Sequence, residues 1–244
     1  MSESPVLLLT GSTGPVGEAV AGLLAKRGDR LLLTGRNTDR LAELERMYGV
    51  PGQVEVFAAD VTTAEGAETV AQEAERRFGR LDGLVHMIGS FQAGPSQFVD
   101  HERLLAVNFL SSVHATHAVL PRLANGGRLV YFGSPLAQEP MGFLGGYAAA
   151  KAALLAWMRS LSHEVKERGV HANAVVMTMA DTPEARQQRP HADFAQAVTP
   201  DLVARVVAFL TSEASDGMYG ALVPVMGRFG FSTALAGPPP GKGA

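Results

Sequence analysis

Short apolar runs alternate along the chain with longer stretches in which apolar residues recur every three or four positions. The short runs are rich in Val and Leu and predict strands, whereas the wider spacing predicts amphipathic helices. The strand segments are almost continuously apolar, which is typical of parallel strands covered on both faces. The pattern places strands at Val6–Leu9, Leu31–Thr34, Val54–Ala58, Leu84–Ile88, Arg128–Phe132, Val170–Val176 and Leu222–Val225. It places helices at Val16–Lys26, Asp39–Met47, Ala64–Phe78, His101–Leu123, Tyr147–Glu167 and Asp201–Leu210.

Because strands and helices alternate, and crossovers between parallel strands are right-handed, this order predicts an α/β fold with a doubly wound parallel sheet. No linker or internal repeat interrupts the pattern, so residues 1–236 are predicted to form one domain. The insert Pro183–Thr199 is rich in Pro, Gln and charge, and its pattern alone favours a solvated connector over a mobile lid. Residues 237–244, GPPPGKGA, are expected to form a flexible tail.

Composition and charge narrow the possible functions. Cysteine is absent, which excludes disulfides, thiolate catalysis and cysteine-ligated metals. The formal net charge of −3 comes without a basic patch, so a nucleic-acid partner is not expected. Neither a signal peptide nor a run of about 18 apolar residues is visible, which predicts a cytoplasmic protein without a membrane span. His114 and His117 share a helix face, but no cysteine or acid cluster completes a metal site, so no metal is predicted.

A glycine-rich turn follows the first predicted strand and reads TGSTGPVG, residues 10–17. In doubly wound sheets, ligand phosphates bind at such a turn against the free amides and the positive dipole of the next helix. Gly11 permits a tight turn, Gly14 allows close approach of a pyrophosphate, and Gly17 lets the helix pack on the sheet. Pro15 lacks an N–H but suits a helix start. The predicted phosphate ligands are therefore the amides of Ser12, Thr13, Val16 and Gly17, with a plain tight turn as the alternative.

The residues after the second predicted strand bear on the choice of cofactor. An acid there would bind a ribose 2′-hydroxyl and select NAD(H), but this chain has Gly35 followed by Arg36. A guanidinium in an acid-free pocket would pair with a 2′-phosphate, which favours NADP(H) over NAD(H). A solvated surface arginine is the alternative.

A second group of candidate residues follows the fifth predicted strand. Ser134 ends that strand, and Tyr147 and Lys151 share one face of an alanine-rich helix. A free phenol titrates at about pH 10, and a neighbouring ammonium would lower its pKa enough for proton transfer near neutrality. Ser134 could donate a hydrogen bond to a carbonyl oxygen that develops charge.

Taken in order, these motifs resemble the short-chain dehydrogenase/reductase family over nearly the whole chain. The resemblance rests on TGSTGPVG, Asp60-Val61, Asn108 in AVNFL, Ser134, the Tyr147–Lys151 pair in YAAAK, VHANAV and Thr182. It implies a Rossmann-type sheet of about seven strands, a nicotinamide cofactor, and hydride transfer between a carbonyl and an alcohol. It also implies a substrate lid at residues 183–199 and assembly as a homodimer or homotetramer.

The resemblance further implies a catalytic role for four residues. Tyr147 would be the general acid–base, and Lys151 would lower its pKa and hold the nicotinamide ribose. Ser134 would orient the substrate oxygen, and Asn108 would anchor a water that links Lys151 to solvent.

The resemblance also assigns cofactor contacts. Asp60 and Val61 would border the adenine, and Thr182 would touch the nicotinamide carboxamide or the phosphates. The predicted cofactor-binding residues are Gly11, Ser12, Thr13, Gly14, Val16, Gly17, Arg36, Asn37, Asp60, Val61, Gly89, Tyr147, Lys151 and Thr182.

Four stretches depart from the family pattern. Pro15 replaces a glycine, HMIG stands at residues 86–89, Met177-Thr178 replaces a Pro-Gly pair, and VMGRFG replaces a closing glycine pair. At the second of these, His86 takes the place of an asparagine, and we expect a hydrogen-bonded wall residue there rather than a catalytic base. The chain is accordingly interpreted as a divergent member.

The leading hypothesis is an NADP(H)-dependent carbonyl reductase or alcohol dehydrogenase that acts on a small molecule in a largely apolar pocket. One alternative is an NADP(H) sensor on the same fold without turnover, suggested by the altered HMIG and Met177-Thr178 stretches. Another is a sugar-nucleotide epimerase or dehydratase, suggested by the turn spacing, although that activity would need a sizeable substrate domain after Val225.

Overall fold

A computed structural model gives the fold over residues 4–188, 190 and 193–228. Seven strands form one sheet: β1 (Val6–Thr10), β2 (Arg30–Gly35), β3 (Val54–Ala58), β4 (Leu81–His86), β5 (Leu123–Gly133), β6 (His171–Met177) and β7 (Leu222–Val225). Their order in the sheet is β3-β2-β1-β4-β5-β6-β7, and every neighbouring pair is parallel. This confirms the predicted doubly wound sheet.

Helices cover both faces of this sheet, as the continuous apolar strands require. The helices are α1 (Pro15–Arg27), α2 (Thr38–Tyr48), α3 (Ala64–Phe78), α4 (His101–Leu105), α5 (Ser111–Val119), α6 (Gly145–Val165), α7 (Pro183–Gln188) and α8 (Pro200–Leu210). Successive residues of β1 point to opposite faces: Val6 and Leu8 pack into the core under α3, α5 and α6, while Leu7 and Leu9 pack into the core under α1, α2 and α8.

The middle of the sheet departs from the predicted strand bounds. β4 was expected at Leu84–Ile88 but begins at Leu81, which is buried and pairs with Leu123 of β5. β5 therefore starts well before the expected Arg128, through a polar stretch whose register with β4 shifts. At its other end, β4 stops at His86 because Met87 and Ile88 leave the sheet to line a cleft.

The helix predicted at His101–Leu123 contains a wider turn. A π-helical turn at Ala106–Leu110 separates α4 from α5, and a short 3₁₀ turn at Leu120–Arg122 follows α5. Within the described residues, His101–Arg122 is the one helical stretch long and apolar enough, by composition, to cross a membrane. Ala115, Ala118 and Val119 of this stretch pack in the core beside α3.

The insert at residues 183–199 is more ordered than its pattern suggests. It contains α7 and a 3₁₀ turn at Phe194–Gln196, and a parallel bridge joins Ala180 to Val198. Residues 189, 191 and 192 within it lie outside the described residues, as do residues 229–236 of the predicted domain and the predicted tail at 237–244.

Candidate active site

A cleft of about 280 Å³ opens at the carboxyl ends of β1, β4, β5 and β6. Ligands of doubly wound sheets bind at this edge. Two predicted features meet there, because the glycine-rich turn lines one part and Tyr147 and Lys151 of α6 line another. The lining residues are Gly11, Gly14, Pro15, Val16, Gly17, Met87, Ile88, Gly89, Phe132, Gly133, Tyr147, Lys151, Met177 and Thr178.

The glycine-rich turn has the backbone that its sequence predicts. Gly11 adopts a φ of 75°, and a Cβ on Gly17 would lie 2.4 Å from the carbonyl oxygen of Gly11. At Gly14, in contrast, the nearest atom to an added Cβ is 3.8 Å away, so that side of the turn is open. Helix α1 begins at Pro15, and its N-cap Gly14 offers no side-chain acceptor to the first amides of the helix.

Two residues of this turn have other partners than expected. The amide of Ser12 donates to the carbonyl of Thr34 at 3.1 Å, and its buried hydroxyl donates to the carbonyl of Leu9 at 2.8 Å. Ser12 thus joins the turn to the sheet, and the prediction that its amide serves as a phosphate ligand is wrong for this arrangement. Thr13 lies over β2, since a Cβ on Gly35 would come within 2.9 Å of the Thr13 methyl. A side chain at position 35 would therefore require the Thr13 side chain to move.

Arg36 and Asp60 face each other beyond the ends of β2 and β3. The Arg36 guanidinium lies 3.7 Å from one carboxylate oxygen of Asp60, and its side chain is 74% exposed. The other Asp60 oxygen accepts hydrogen bonds from the amide and hydroxyl of Thr62, and these bonds, together with Arg36, lower the pKa of Asp60. Next to them, the side-chain oxygen of Asn37 caps α2 by accepting from the amide of Arg40 at 3.0 Å.

Two further predicted cofactor contacts have structural roles in this arrangement. Val61 is 2% exposed and packs in the core under α3, so any contact with an adenine would come from its main chain. The Thr182 hydroxyl accepts a hydrogen bond from the amide of Ala185 at 3.1 Å and so caps α7. Neither residue lines the cleft, whereas Met177 and Thr178 do.

Two of the predicted catalytic residues, Tyr147 and Lys151, line the cleft, and Ser134 directly follows Gly133, which also lines it. Tyr147 and Lys151 lie one turn apart on α6, and the Lys151 nitrogen is 5.9 Å from the centroid of the Tyr147 ring. Ser134, which is buried at the end of β5, forms a hydrogen bond with Tyr147. Tyr147 therefore has both a serine and a lysine of the predicted set as neighbours.

The electrostatics of this group differ from the prediction. Burial raises the pKa of Tyr147, and the hydrogen bond with Ser134 opposes that rise only in part. Lys151 is itself 4% exposed, donates to the carbonyl of Phe132 at 2.8 Å, and has a pKa lowered to about 8 by burial. Burial is therefore the largest effect on the pKa of Tyr147 in this structure, and the role of Lys151 in lowering that pKa stays a prediction.

Asn108 lies on the π-helical turn, but its side chain binds protein backbone. Its oxygen accepts from the amide of Ser90 at 3.1 Å, and its nitrogen donates to the carbonyls of Ser90 at 2.9 Å and Leu104 at 3.0 Å. Asn108 therefore holds the loop after β4 beside Lys151. A Cβ on Gly89 in that loop would lie 3.0 Å from the Asn108 oxygen and 3.4 Å from the Lys151 nitrogen. The water relay through Asn108 stays a prediction.

His86 is hydrogen-bonded, as the sequence predicts, but it lies behind the cleft rather than in its wall, because it is buried and only the following residues, from Met87 onward, line the cleft. It is fully buried, with Nδ1 at 2.9 Å from the Thr10 hydroxyl and Nε2 at 3.0 Å from the Ser111 hydroxyl. Burial, with a smaller effect of the Lys151 charge, lowers the pKa of His86 to about 3. The imidazole is therefore neutral at ordinary pH and joins β1 to the helix that carries Asn108.

Some site features carry no signal in the sequence. The Phe132 carbonyl that accepts from Lys151 is a main-chain atom, and only the way β5 ends beside α6 could reveal it. The edge-on contact between the rings of Phe91 and Tyr147, with centroids 5.1 Å apart, could have been expected only from the aromatic residue that follows HMIG two positions later.

The charged residues of the insert at 183–199 are only partly described. Arg186 pairs with Asp181 at 2.6 Å, while Arg189 and His191 lie outside the described residues.

The predicted histidine pair does not form a metal site in the part of the chain that the structure describes. His114 Nδ1 lies 3.1 Å from the carbonyl oxygen of Thr62. No three His, Cys, Asp or Glu side chains gather as metal ligands among the described residues.

Comparison with known proteins gives the family. The sequence model of a family described as enoyl-(acyl carrier protein) reductase matches residues 12–227. An uncharacterized oxidoreductase of Staphylococcus epidermidis is 30% identical over 185 residues, which cover 73% of this chain and 79% of that protein. A solved short-chain dehydrogenase/reductase of Brucella melitensis, described as a glucose/ribitol dehydrogenase, has a TM-score of 0.84 at 29% identity, covering 91% of this chain and 95% of that one.

A second solved structure adds a bound cofactor. A blue fluorescent protein from a metagenomic library, in complex with NADPH, has a TM-score of 0.83 at 26% identity and covers 92% of this chain and 97% of that one. These likenesses agree with the sheet order, the glycine-rich turn and the tyrosine–lysine pair described above. The chain therefore belongs to the short-chain dehydrogenase/reductase family of oxidoreductases, which use a nicotinamide cofactor.

Proposed function

We propose that this protein is an NADP(H)-dependent oxidoreductase that interconverts a carbonyl and an alcohol. The observation that carries the proposal is the single cleft that joins the glycine-rich turn to Tyr147 and Lys151, with Ser134 hydrogen-bonded to the tyrosine. A nucleotide site and an acid–base group thus share one cavity at the edge of the sheet where ligands bind.

The residues of the turn fit a dinucleotide. The first turn of α1 presents amides without helical partners, and the open side of Gly14 leaves room for phosphate oxygens. Val16 and Gly17 would hold the phosphates, and Lys151 would hold the ribose next to the nicotinamide. The cofactor, when bound, supplies or accepts the hydride.

The remaining chemistry belongs to the side chains around Tyr147. Because its pKa is raised, the Tyr147 hydroxyl stays protonated at neutral pH and is suited to donate a proton to a carbonyl oxygen. Ser134 would donate a second hydrogen bond to that oxygen as negative charge develops on it. In the direction of carbonyl reduction, Tyr147 would therefore be the proton donor.

The preference for NADP(H) rests on the end of β2. Thr13 fills the space where an acidic side chain at position 35 would stand, which removes the usual partner of a ribose 2′-hydroxyl. Arg36 follows immediately and is exposed toward solvent, where it could pair with a 2′-phosphate.

The proposal is tested by Tyr147→Phe, with Tyr219→Phe as the matched control. Tyr219 is a partly exposed tyrosine stacked on His171 and does not line the cleft. Oxidation of NADPH should first be measured against a panel of aldehydes and ketones to find a substrate. Tyr147→Phe should then lower kcat by at least about a hundredfold, the usual contribution of general acid catalysis, while the Kd of NADPH changes little.

Two results would contradict this assignment. A Tyr147→Phe enzyme as active as the Tyr219→Phe control would remove the tyrosine from the chemistry. Tight NADPH binding by the wild-type protein, without turnover of any carbonyl or alcohol, would instead favour the non-catalytic cofactor-binding protein.

The partners predicted from the sequence remain proposals of the same kind. We propose a small-molecule carbonyl or alcohol substrate and a homodimer or homotetramer in solution. Light scattering on the purified protein measures the assembly directly, and a monomer would contradict it.

A further inference from the structure

We propose that Asp60 is a specificity-determining residue that weakens the preference for NADP(H) by competing with the 2′-phosphate for Arg36. This inference rests on the proposed cofactor site and concerns how strongly that site discriminates between two cofactors. It starts from the position of Asp60, which follows β3 at the same sheet edge where Arg36 follows β2.

The Asp60 carboxylate is held in place on one side and faces the guanidinium on the other. Its Oδ1 accepts from the Thr62 amide at 3.0 Å and from the Thr62 hydroxyl at 2.7 Å, and its Oδ2 lies 3.7 Å from Nη1 of Arg36. The two bonds from Thr62 hold the carboxylate in place, so its negative charge faces the Arg36 guanidinium. A 2′-phosphate that binds Arg36 must share the guanidinium with a carboxylate and is repelled by it.

The next basic residue does not compensate for this competition. Arg40, on the first turn of α2, forms ion pairs with both Glu18 and Glu43, so its charge is neutralised locally. Asp39 adds another exposed carboxylate beside it. Acidic side chains therefore outnumber basic ones around Arg36 and Arg40, and among these groups Arg36 is the cation that would attract a 2′-phosphate.

The test compares the ratio Kd(NADH)/Kd(NADPH) between variants, measured by calorimetry without any substrate. Asp60→Asn keeps an oxygen that can accept from Thr62 but removes the charge that faces Arg36. The ratio should rise about two- to five-fold, which is the range that exposed ion pairs give. Asp39→Asn is the matched control, because it removes the same charge nearby without changing the pair, and it should leave the ratio within about 1.5-fold.

A double-mutant cycle with Arg36→Met completes the experiment. The effect of Asp60→Asn on the ratio should disappear in the Arg36→Met background, because Asp60 is proposed to change the ratio only through its interaction with Arg36. An unchanged ratio in Asp60→Asn, an equal rise in Asp39→Asn, or an equal effect with and without Arg36 would overturn the inference. Failure of the wild-type protein to bind either cofactor would instead overturn the proposed function together with this inference.

Discussion

The close approach of α1 to the glycine-rich turn makes Gly17→Ala an informative substitution. Gly17 is buried in the first turn of α1, and an added Cβ would lie 2.4 Å from the Gly11 carbonyl oxygen and 2.7 Å from the Ser12 Cα. Both atoms belong to the backbone, so neither can rotate away. The helix would have to move outward by about 1 Å to restore ordinary contact.

The expected cost follows from two opposing effects. Overpacking of this kind lowers the free energy of unfolding by about 3 kcal/mol at the upper end of its usual range. Alanine in place of glycine within a helix raises that free energy by about 1 kcal/mol. The net loss of about 2 kcal/mol corresponds to a fall in Tm of about 4–8 °C for a chain of this size. Because the shift also displaces the amides at the start of α1, the Kd of NADPH should increase.

Gly145→Ala provides the matched control for helix propensity. Gly145 is the first residue of α6, and an added Cβ there meets no atom within 4 Å. Thermal unfolding followed by circular dichroism should show an unchanged or slightly higher Tm for Gly145→Ala and a lower Tm for Gly17→Ala. Equal Tm values for the two variants would show that the turn tolerates a side chain at position 17 and would refute the packing argument.

Three further predictions concern stability. Between about pH 3 and 6.5, His86 binds a proton in the unfolded chain but stays neutral when buried in the folded protein. The free energy of unfolding, measured by urea denaturation, should therefore fall as the pH drops through this window. The fall should be less steep in His86→Gln. Tyr131→Phe removes the buried 2.6 Å hydrogen bond with Thr116 and should cost about 1 kcal/mol in the same assay at neutral pH. Arg27→Met leaves the buried Asp29 carboxylate without its cation and should lower the free energy of unfolding by about 3 kcal/mol. The double variant Arg27→Met/Asp29→Asn should regain most of that stability.

The sheet could be predicted because its signal is local. Each strand is a continuous apolar run, and the covering helices show their own spacing, so the existence of all seven strands follows from the sequence. The bounds of β4 and β5 could not be predicted because pairing between distant residues sets them. Leu81 belongs to β4 through its partner Leu123, and neither residue stands in an apolar run.

Membership of the site was easier to predict than the contacts within it. Spacing alone brings Tyr147 and Lys151 to one face of α6 and the glycine-rich turn to the start of α1. The hydrogen bonds of Ser12, Asn108 and Thr182 depend instead on backbone groups of other segments, which the sequence does not reveal. Polar side chains near a cleft can serve the scaffold as readily as a ligand, and only the three-dimensional partners distinguish the two roles.

The pKa of Tyr147 is another property that the spacing of residues in the sequence does not predict. A lysine one helical turn away favours a phenolate, but the same burial that places both groups in the cleft penalises every charge there. Burial lowers the pKa of Lys151 to about 8 and raises that of Tyr147, while the amine donates to the Phe132 carbonyl. The spacing of the pair predicts that the two residues lie together, whereas the direction of the pKa shift of Tyr147 depends on its burial, which the spacing does not reveal.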